Sequence, residues 1–442
     1  MAQNQILVVT EIRTDRAEVL NTLLQDMSKN VSNNASIPFA KFAELHFASL
    51  FVLDNDAQYQ PLLILEGNVD GPADSFVDHL LQLARVGVDS LFGCCVDYPG
   101  PAASNAVIKA YLLANSKIAN AYYRGHRMTP VGAVQKQSSL LRPAQEGFLD
   151  NQYAALFSKS PANVFASIRQ YIGTNPLLAW ARTAESADAQ NVADDLLAQK
   201  IVRIGIGAGV GVVSAIVVGL LLNLWLTLAV LGCGVVLPVA AYVLLLRFHE
   251  IRDLEDKQLQ PESAHLNELL QMEDHQGQNH LTVISTVKPG IFRLLTLKTV
   301  LWAINVLARF YFTKGKLGNL TTIHFARWVL INDDKRLLFL SNYDGSWQNY
   351  LSEFIDQASA GLTGIWSNVV GFPKTHFLFF GGARNEQEFK TFVRNEQVLT
   401  AVWYSAYPTL SVENVWDNFE VRQALATENA STTVVTQCLQ RL

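Results

Sequence analysis

The segment 204–246 constrains this chain most, because it runs from Arg203 to Arg247 without one charged side chain. At about 1.5 Å per residue a single helix of that length would measure roughly 65 Å, about twice a bilayer's hydrocarbon core. Two spans fit better. Asn223 is the most polar break near the middle, and Trp225 beside it suits a membrane interface. The run therefore predicts a transmembrane helical hairpin, 204–222 and 226–246. The alternative is a hairpin buried in a soluble core, which rarely needs two adjoining runs so free of charge. Lys200 and Arg203 precede the run, Arg247, Arg252 and Lys257 follow it, and its turn holds no Lys or Arg. Both termini are then expected on the cytoplasmic side. Gly205, Gly207, Gly209 and Gly211 form overlapping GxxxG pairs that would let the second helix approach closely. Pro238 is expected to kink that second helix. The glycines are not a phosphate loop, since no strand precedes them and no Lys-Ser/Thr follows.

The remainder is long enough for two or three domains. Of 442 residues, 50% are hydrophobic and 17% charged, which suits folded soluble parts around a membrane insert. The cysteines, Cys94, Cys95, Cys233 and Cys438, give neither a disulfide framework nor a CxxC metal pair, so a reducing compartment is expected. The apolar strand 6–12 starts almost at once, without the layout of a signal peptide.

The chain before the insert and the chain after Leu281 read as two copies of one unit. Each opens with an apolar strand, Ile6-Leu-Val-Val-Thr-Glu-Ile-Arg13 and Leu281-Thr-Val-Ile-Ser-Thr-Val-Lys288. His46-Phe47-Ala48 and His324-Phe325-Ala326 then lie within apolar strands, 45–53 and 323–331. Third strands end in Asn68-Val-Asp70-Gly71 and Asn342-Tyr-Asp344-Gly345. Beyond them a constant shift places Phe76 on Tyr350, Ala84 on Ala358, Gly87 on Gly361, Phe92 on Trp366 and Pro99 on Pro373. Ala121-Tyr122-Tyr123 matches Val402-Trp403-Tyr404. Gly87 and Gly361 are read as helix C-caps. The closing strand is placed at 376–381 in the second copy and at 93–98 in the first.

This β-α-β-β-α-β order is the ferredoxin-like unit. The second strand of each copy is apolar on both faces, so its sheet must be covered twice. The expected fold is α+β: two tandem ferredoxin-like repeats forming an intramolecular α/β barrel, with an inserted transmembrane hairpin. The boundaries are 1–150 for the first repeat, 151–203 for connecting helices, 204–246 for the hairpin, 247–280 for a polar linker and 281–442 for the second repeat.

The arrangement resembles the dimeric α/β-barrel superfamily and, distantly, its dye-decolourising haem peroxidases. Gly67-Asn68-Val69-Asp70-Gly71 fits that family's GxxDG motif, although it follows the third strand rather than lying near the junction of the halves. The second copy has Ser341 at the first glycine. The resemblance implies haem, with His324 or His46 as axial ligand and Asp70 as the distal catalytic group.

Read from the residues alone, His46 and His324 are either ligands of a shared pocket or buried histidines bonded to a neighbouring strand. Asp70 and Asp344 suit turns and helix caps. Arg124, His126 and Arg127 form a small basic cluster, read either as a solvated loop or as a site for an anionic head group or carboxylate, and Arg384 could reach another anion. His265, His275 and His280 are spaced too irregularly for a metal. From His275 to Asn332 there is no acidic residue. Within that segment the apolar helix 291–312 carries Arg293, Lys298, Trp302 and Arg309, followed by Lys314 and Lys316. It is expected either to lie along the cytoplasmic leaflet on anionic lipid or to serve as a core helix. No nucleic-acid or hydrolase motif is present. The leading expectation is a membrane-anchored, cytoplasm-facing protein that binds a small apolar or amphipathic ligand, or a partner. The alternatives are a haem-dependent peroxidase-like enzyme and a structural membrane adaptor.

Overall fold

Two antiparallel four-stranded sheets organise the molecule. A computed structural model describes residues 3–442 apart from 55–57, 128, 157–158, 184–195, 198–199, 201–202, 205–210, 215, 220, 222, 254–259 and 314. The first half contributes β1 (Gln3–Glu11), β2 (Leu45–Leu53), β3 (Leu62–Asp70) and the short β4 (Ala121–Arg124). The second contributes β5 (Gln278–Thr286), β6 (Ile323–Ile331) and β7 (Arg336–Asp344). The small strands β8 (Thr375–His376) and β9 (Phe380–Gly381) and the short β10 (Val402–Ser405) follow. The sheets are ordered β1-β3-β2-β10 and β4-β6-β7-β5, so each half lends its last strand to the other half's sheet.

This exchange departs from the sequence reading, which placed the closing strands at 376–381 and 93–98. Phe377 and Leu378 have φ of 51° and 69°, which ends any extended strand there, and Asp97 interrupts the other segment at 57°. Among the described residues β8 and β9 pair only with each other. Gly87 is not a cap either. It sits inside the Arg85–Phe92 helix, where a Cβ would lie 2.0 Å from the Ser36 carbonyl oxygen, so its role is close approach. Gly361 likewise lies within the Trp347–Trp366 helix.

Strand alternation explains the two-sided apolar pattern. On β1, Ile6 and Val8 face the helices Ala17–Ser28 and Ala73–Leu83, while Leu7 and Val9 face the other sheet. On β7, Leu337 and Phe339 face outward while Leu338 and Leu340 point inward. Leu7, Phe51 and Ile64 thus pack with Ile284, Val329 and Leu338 in one seam between the sheets. Fully burying one such side chain stabilises by about 1.5–3 kcal/mol, so closure of the two sheets is driven chiefly by this layer. The connecting helices build a further apolar cluster with the C-terminal end of the chain. Phe165, Ile168 and Ile172 pack on Val421, Leu425 and Val435 of the C-terminal helices.

Two helices, Cys233–Arg252 and Ile291–Phe310, are long and apolar enough to cross a membrane. The first is the end of a longer helical run from Leu224, in which the π-turn Gly232–Val236 lies just before Pro238. That local widening is how the helix accommodates the proline. Asn223 caps this run, its side-chain oxygen accepting from the Leu226 N–H at 3.0 Å. Of the preceding run, 211–214 and 216–219 are helical, and the glycine pairs at 205–209 lie outside the described residues. The Ile291–Phe310 helix buries Thr296, Leu297 and Leu301 against the second sheet, yet leaves Leu295 and Trp302 exposed, the latter at 65%.

Candidate functional site

At one end of the seam the sheets bring together His46, His126, His324 and Tyr407, all buried. Two β-bulges place the first pair. The register of β2 on β3 slips between Leu45 and Phe47, and that of β6 on β7 between Ile323 and Phe325, leaving His46 and His324 as the extra residues. A bulge re-aims its side chain, here into the seam. His126 and Tyr407 arrive just beyond the exchanged strands β4 and β10.

The hydrogen bonds form one chain. His46 Nε2 meets Asp70 Oδ1 at 3.0 Å, and its Nδ1 meets the Tyr407 hydroxyl at 2.7 Å. His324 Nε2 meets Asp344 Oδ1 at 2.7 Å, and its Nδ1 meets His126 Nε2 at 3.1 Å. The Tyr407 hydroxyl lies 3.3 Å from His126 Nε2 and closes the chain. The pattern is met when His46 and His324 donate from Nε2 to the carboxylates and accept at Nδ1 from Tyr407 and His126. Each aspartate also accepts from a helix start: Asp70 Oδ2 from the Val131 N–H at 2.8 Å, Asp344 Oδ2 from the Val412 N–H at 2.7 Å. A carboxylate is favoured there by the helix dipole. Asp70 and Asp344 are therefore caps, though of helices distant in sequence rather than of those that follow them.

Further contacts are matched across the seam. Gln3 Nε2 donates to the carbonyls of His126 and Thr129, while Gln278 Nε2 donates to those of Tyr407 and Leu410. The Tyr122 hydroxyl donates to Asn68 Oδ1 and the Trp403 indole to Asn342 Oδ1, both at 3.0 Å. Phe325 and Phe47 wall the centre. One ion pair has no counterpart on the other sheet. Arg327 reaches across from β6 to Glu66 at 2.7 Å, and Glu66 is also held by Ser49 and Asn68.

Burial first, then the neighbouring His324 and His46, holds His126 well below the ordinary histidine range, so it stays neutral. Burial pushes the Tyr407 hydroxyl well above its usual value. The centre thus sets a neutral His126 and an un-ionised Tyr407 between the two His–Asp pairs. His46 and His324 use both ring nitrogens, so neither has one free for haem iron. His126 Nδ1 is buried without a partner, but it points from the other side of its ring. Among the described residues no group of three or more His, Cys, Asp or Glu is placed to hold a metal. A cavity of about 180 Å³ lined by Gln278, His280, Thr400 and Trp403 flanks this centre.

Of the residues singled out from sequence, His46, His126, His324 and Asp70 meet here. Arg124 turns back to the Gln3 carbonyl and Arg127 to the Arg309 carbonyl, so neither sits in an open anion cluster. Arg384 is exposed elsewhere, beyond β9. Lys298 pairs with Asp334, Lys316 is exposed, and Lys314 lies outside the described residues. Arg293 was expected at a lipid-facing surface but is only 1% exposed, bonded to Asp253. Sequence reasoning missed Tyr407, Gln3, Gln278, Glu66 and Arg327. The one available signal was that Tyr407 follows Tyr404 at the spacing by which His126 follows Tyr123. Comparison with known proteins returned no match: no protein-family profile, no curated protein and no solved structure resembles this chain at a significant level.

Proposed function

We propose that this chain is a membrane-anchored protein, facing the cytoplasm, that binds a small amphipathic ligand at the bilayer surface. Its body is read as two copies of a ferredoxin-like unit, closed on each other as in the dimeric α/β-barrel superfamily. Identical sheet orders, equivalent bulges and matched bonds at Gln3/Gln278, His46/His324 and Asp70/Asp344 support that duplication. The histidine centre acts in this reading as a polar bolt that fixes the register of the two sheets, rather than as a reaction centre.

The observation that carries the membrane reading is a long apolar helix left open to its surroundings yet rooted firmly in the body. Leu226, Val230, Leu237 and Leu244 are exposed, Leu244 at 71%. Leaving such a row in water forgoes about 1.5–3 kcal/mol per large side chain, and a bilayer recovers it. At the foot, the buried Glu250 accepts from the backbone N–H of Phe377 at 2.9 Å and of Leu378 at 2.8 Å. It also pairs with Arg247. Those contacts hold the β8–β9 hairpin beside the helix with Phe377 and Phe380 exposed. Leu295 and Trp302 of the Ile291–Phe310 helix are exposed as well. Arg247 and Arg252 at the foot match the positive cytoplasmic flank of a span. In a fractionation experiment the full-length chain should stay with membranes through alkaline carbonate and leave only with detergent. Recovery in the carbonate supernatant would overturn the reading.

A further inference from the structure

Where the apolar helix enters the body, a cavity of about 340 Å³ is lined by His249, Arg252, Asp253, Lys288 and Arg293, with Pro289 and Val370 among its apolar walls. Its charge is unbalanced. Lys288 and Arg293 both bind the same oxygen, Asp253 Oδ2, at 2.7 and 2.6 Å. One carboxylate thus serves the buried Arg293 and the half-buried Lys288, which also donates to the Ser367 carbonyl at 2.8 Å, while Arg252 has its guanidinium over the Phe248 ring at 3.8 Å. Arg293 is almost fully enclosed, yet its Nε and Nη1 have no partner among the described residues. A guanidinium offers its donors as a planar fork, and leaving part of that fork empty in a buried site is costly. Burial lowers the Lys288 ammonium below its ordinary range despite Asp253, with Arg293 adding in the same direction. The donors that line the cavity suit an anion with several acceptor oxygens.

Its surroundings narrow the source. The lining Val370 is exposed, and Ile251 and Ile291, close in the chain to the lining residues Arg252 and Pro289, are exposed at 65% and 74%, so apolar side chains open to the exterior lie beside the basic cavity. The Leu237–Arg252 helix continues that apolar surface away from the body. A cationic pocket with an apolar rim at the end of a membrane helix suits a molecule with a phosphate at one end and acyl chains at the other.

We propose that this pocket binds the phosphate of an anionic phospholipid, held by Lys288, Arg252 and the free donors of Arg293. The proposal rests on the membrane-surface reading above and names its ligand class. The test uses the full chain in detergent micelles, with native mass spectrometry reading bound lipid. Phosphatidic acid and phosphatidylcholine of the same acyl chains are offered, with inorganic phosphate as a separate arm. Charge-assisted bonds to a phosphate are strong enough that phosphatidic acid should be retained about 10-fold better than phosphatidylcholine. Arg252→Gln and Lys288→Gln should each reduce that preference about 5-fold, since each removes one cation. The exposed Arg252→Gln should leave the melting temperature unchanged, whereas Lys288→Gln, which loses its bonds to Asp253 and Ser367, should lower it. Arg293→Met should abolish it, and the two milder variants keep the test informative if Arg293→Met fails to fold. Equal retention of the two lipids, or wild-type retention by both milder variants, overturns the proposal. If inorganic phosphate displaces the lipid at equal concentration, the lipid assignment falls and a free-anion site is left. Because micelles dissolve the apolar helices whatever their native setting, failure here is separate from failure of the fractionation experiment.

Discussion

The two sheets share an order and a register but not a cover. The first is capped by the 12-residue Ala17–Ser28 helix, whose outward positions include Glu18, Asn21 and Gln25. The corresponding helix of the second sheet, Ile291–Phe310, has 20 residues and turns Ile291, Leu295 and Trp302 outward. Their inward sides do the same work, burying Leu20 and Leu24 in one case and Leu297 and Leu301 in the other. Strands packed on both faces have little freedom to change, whereas the outer face of a covering helix is free to match its surroundings. The polar centre repeats the lesson. The two wings of that centre, one built on each sheet's His–Asp pair, agree at histidine and aspartate but differ where His126 corresponds to Tyr407 and where Glu66 and Arg327 correspond in position to Leu340 and Ser49.

The comparison can be broken most severely at the unmatched ion pair. Glu66→Leu, which installs the residue type of the other sheet, strands the Arg327 charge and should cost about 3–5 kcal/mol in chemical denaturation. Combining it with Arg327→Met should recover most of that loss, because a buried pair exchanged for apolar residues is often near neutral. A double variant no better than the single would mean that the pair does more than balance itself.

The histidine wing offers a milder trial. His126→Ala should cost about 2–4 kcal/mol through the cavity and the lost bond to His324. His126→Tyr copies the opposite wing, where a tyrosine hydroxyl meets the histidine Nδ1 at 2.7 Å, and should cost less than about 1.5 kcal/mol. Equal losses would show that the wings are not interchangeable.

Acid sharpens the same point. His126 and His280 are held below the ordinary histidine value of 6.5 by burial, so the unfolded chain takes up protons that the folded chain refuses. Stability should therefore fall as pH drops below about 6.5, by up to about 1.4 kcal/mol per pH unit for each group. His126→Tyr should flatten that slope in denaturation curves taken between pH 7 and pH 5. An unchanged slope would remove His126 as its source.

The smallest effect on stability is expected on the divergent cover. Trp302→Phe should change folding by no more than about 0.5 kcal/mol, as an exposed substitution usually does. In vesicles with brominated acyl chains, however, wild-type fluorescence should be quenched more than that of the variant. Identical quenching would turn this helix away from lipid.

Much of this architecture could be read from the chain. The charge-free run, the two-sided apolar strands and the paired His-Phe-Ala and Asn-x-Asp-Gly segments are local patterns, and burial imposes them wherever the strands lie. The exchange of β4 and β10 could not be read in that way. Each is four residues long, too short for periodicity to assign a partner, and nothing in Ala121–Arg124 specifies that it pairs with Trp328 and its neighbours. Tyr407 was hidden because its counterpart is a histidine. Arg293 was misplaced because an apolar helix says which residues are charged, not which side they occupy.

Sequence by itself determined which segments had to leave water and which strand faces had to be covered, because apolar surface is costly to hydrate wherever it falls. Tertiary structure alone decided which strand closes which sheet, that His126 and Tyr407 complete one hydrogen-bond chain, and that Arg293 is sealed beneath the foot of the apolar helix. Those outcomes depend on contacts between residues far apart in the chain, and such contacts exist only after the two sheets have met.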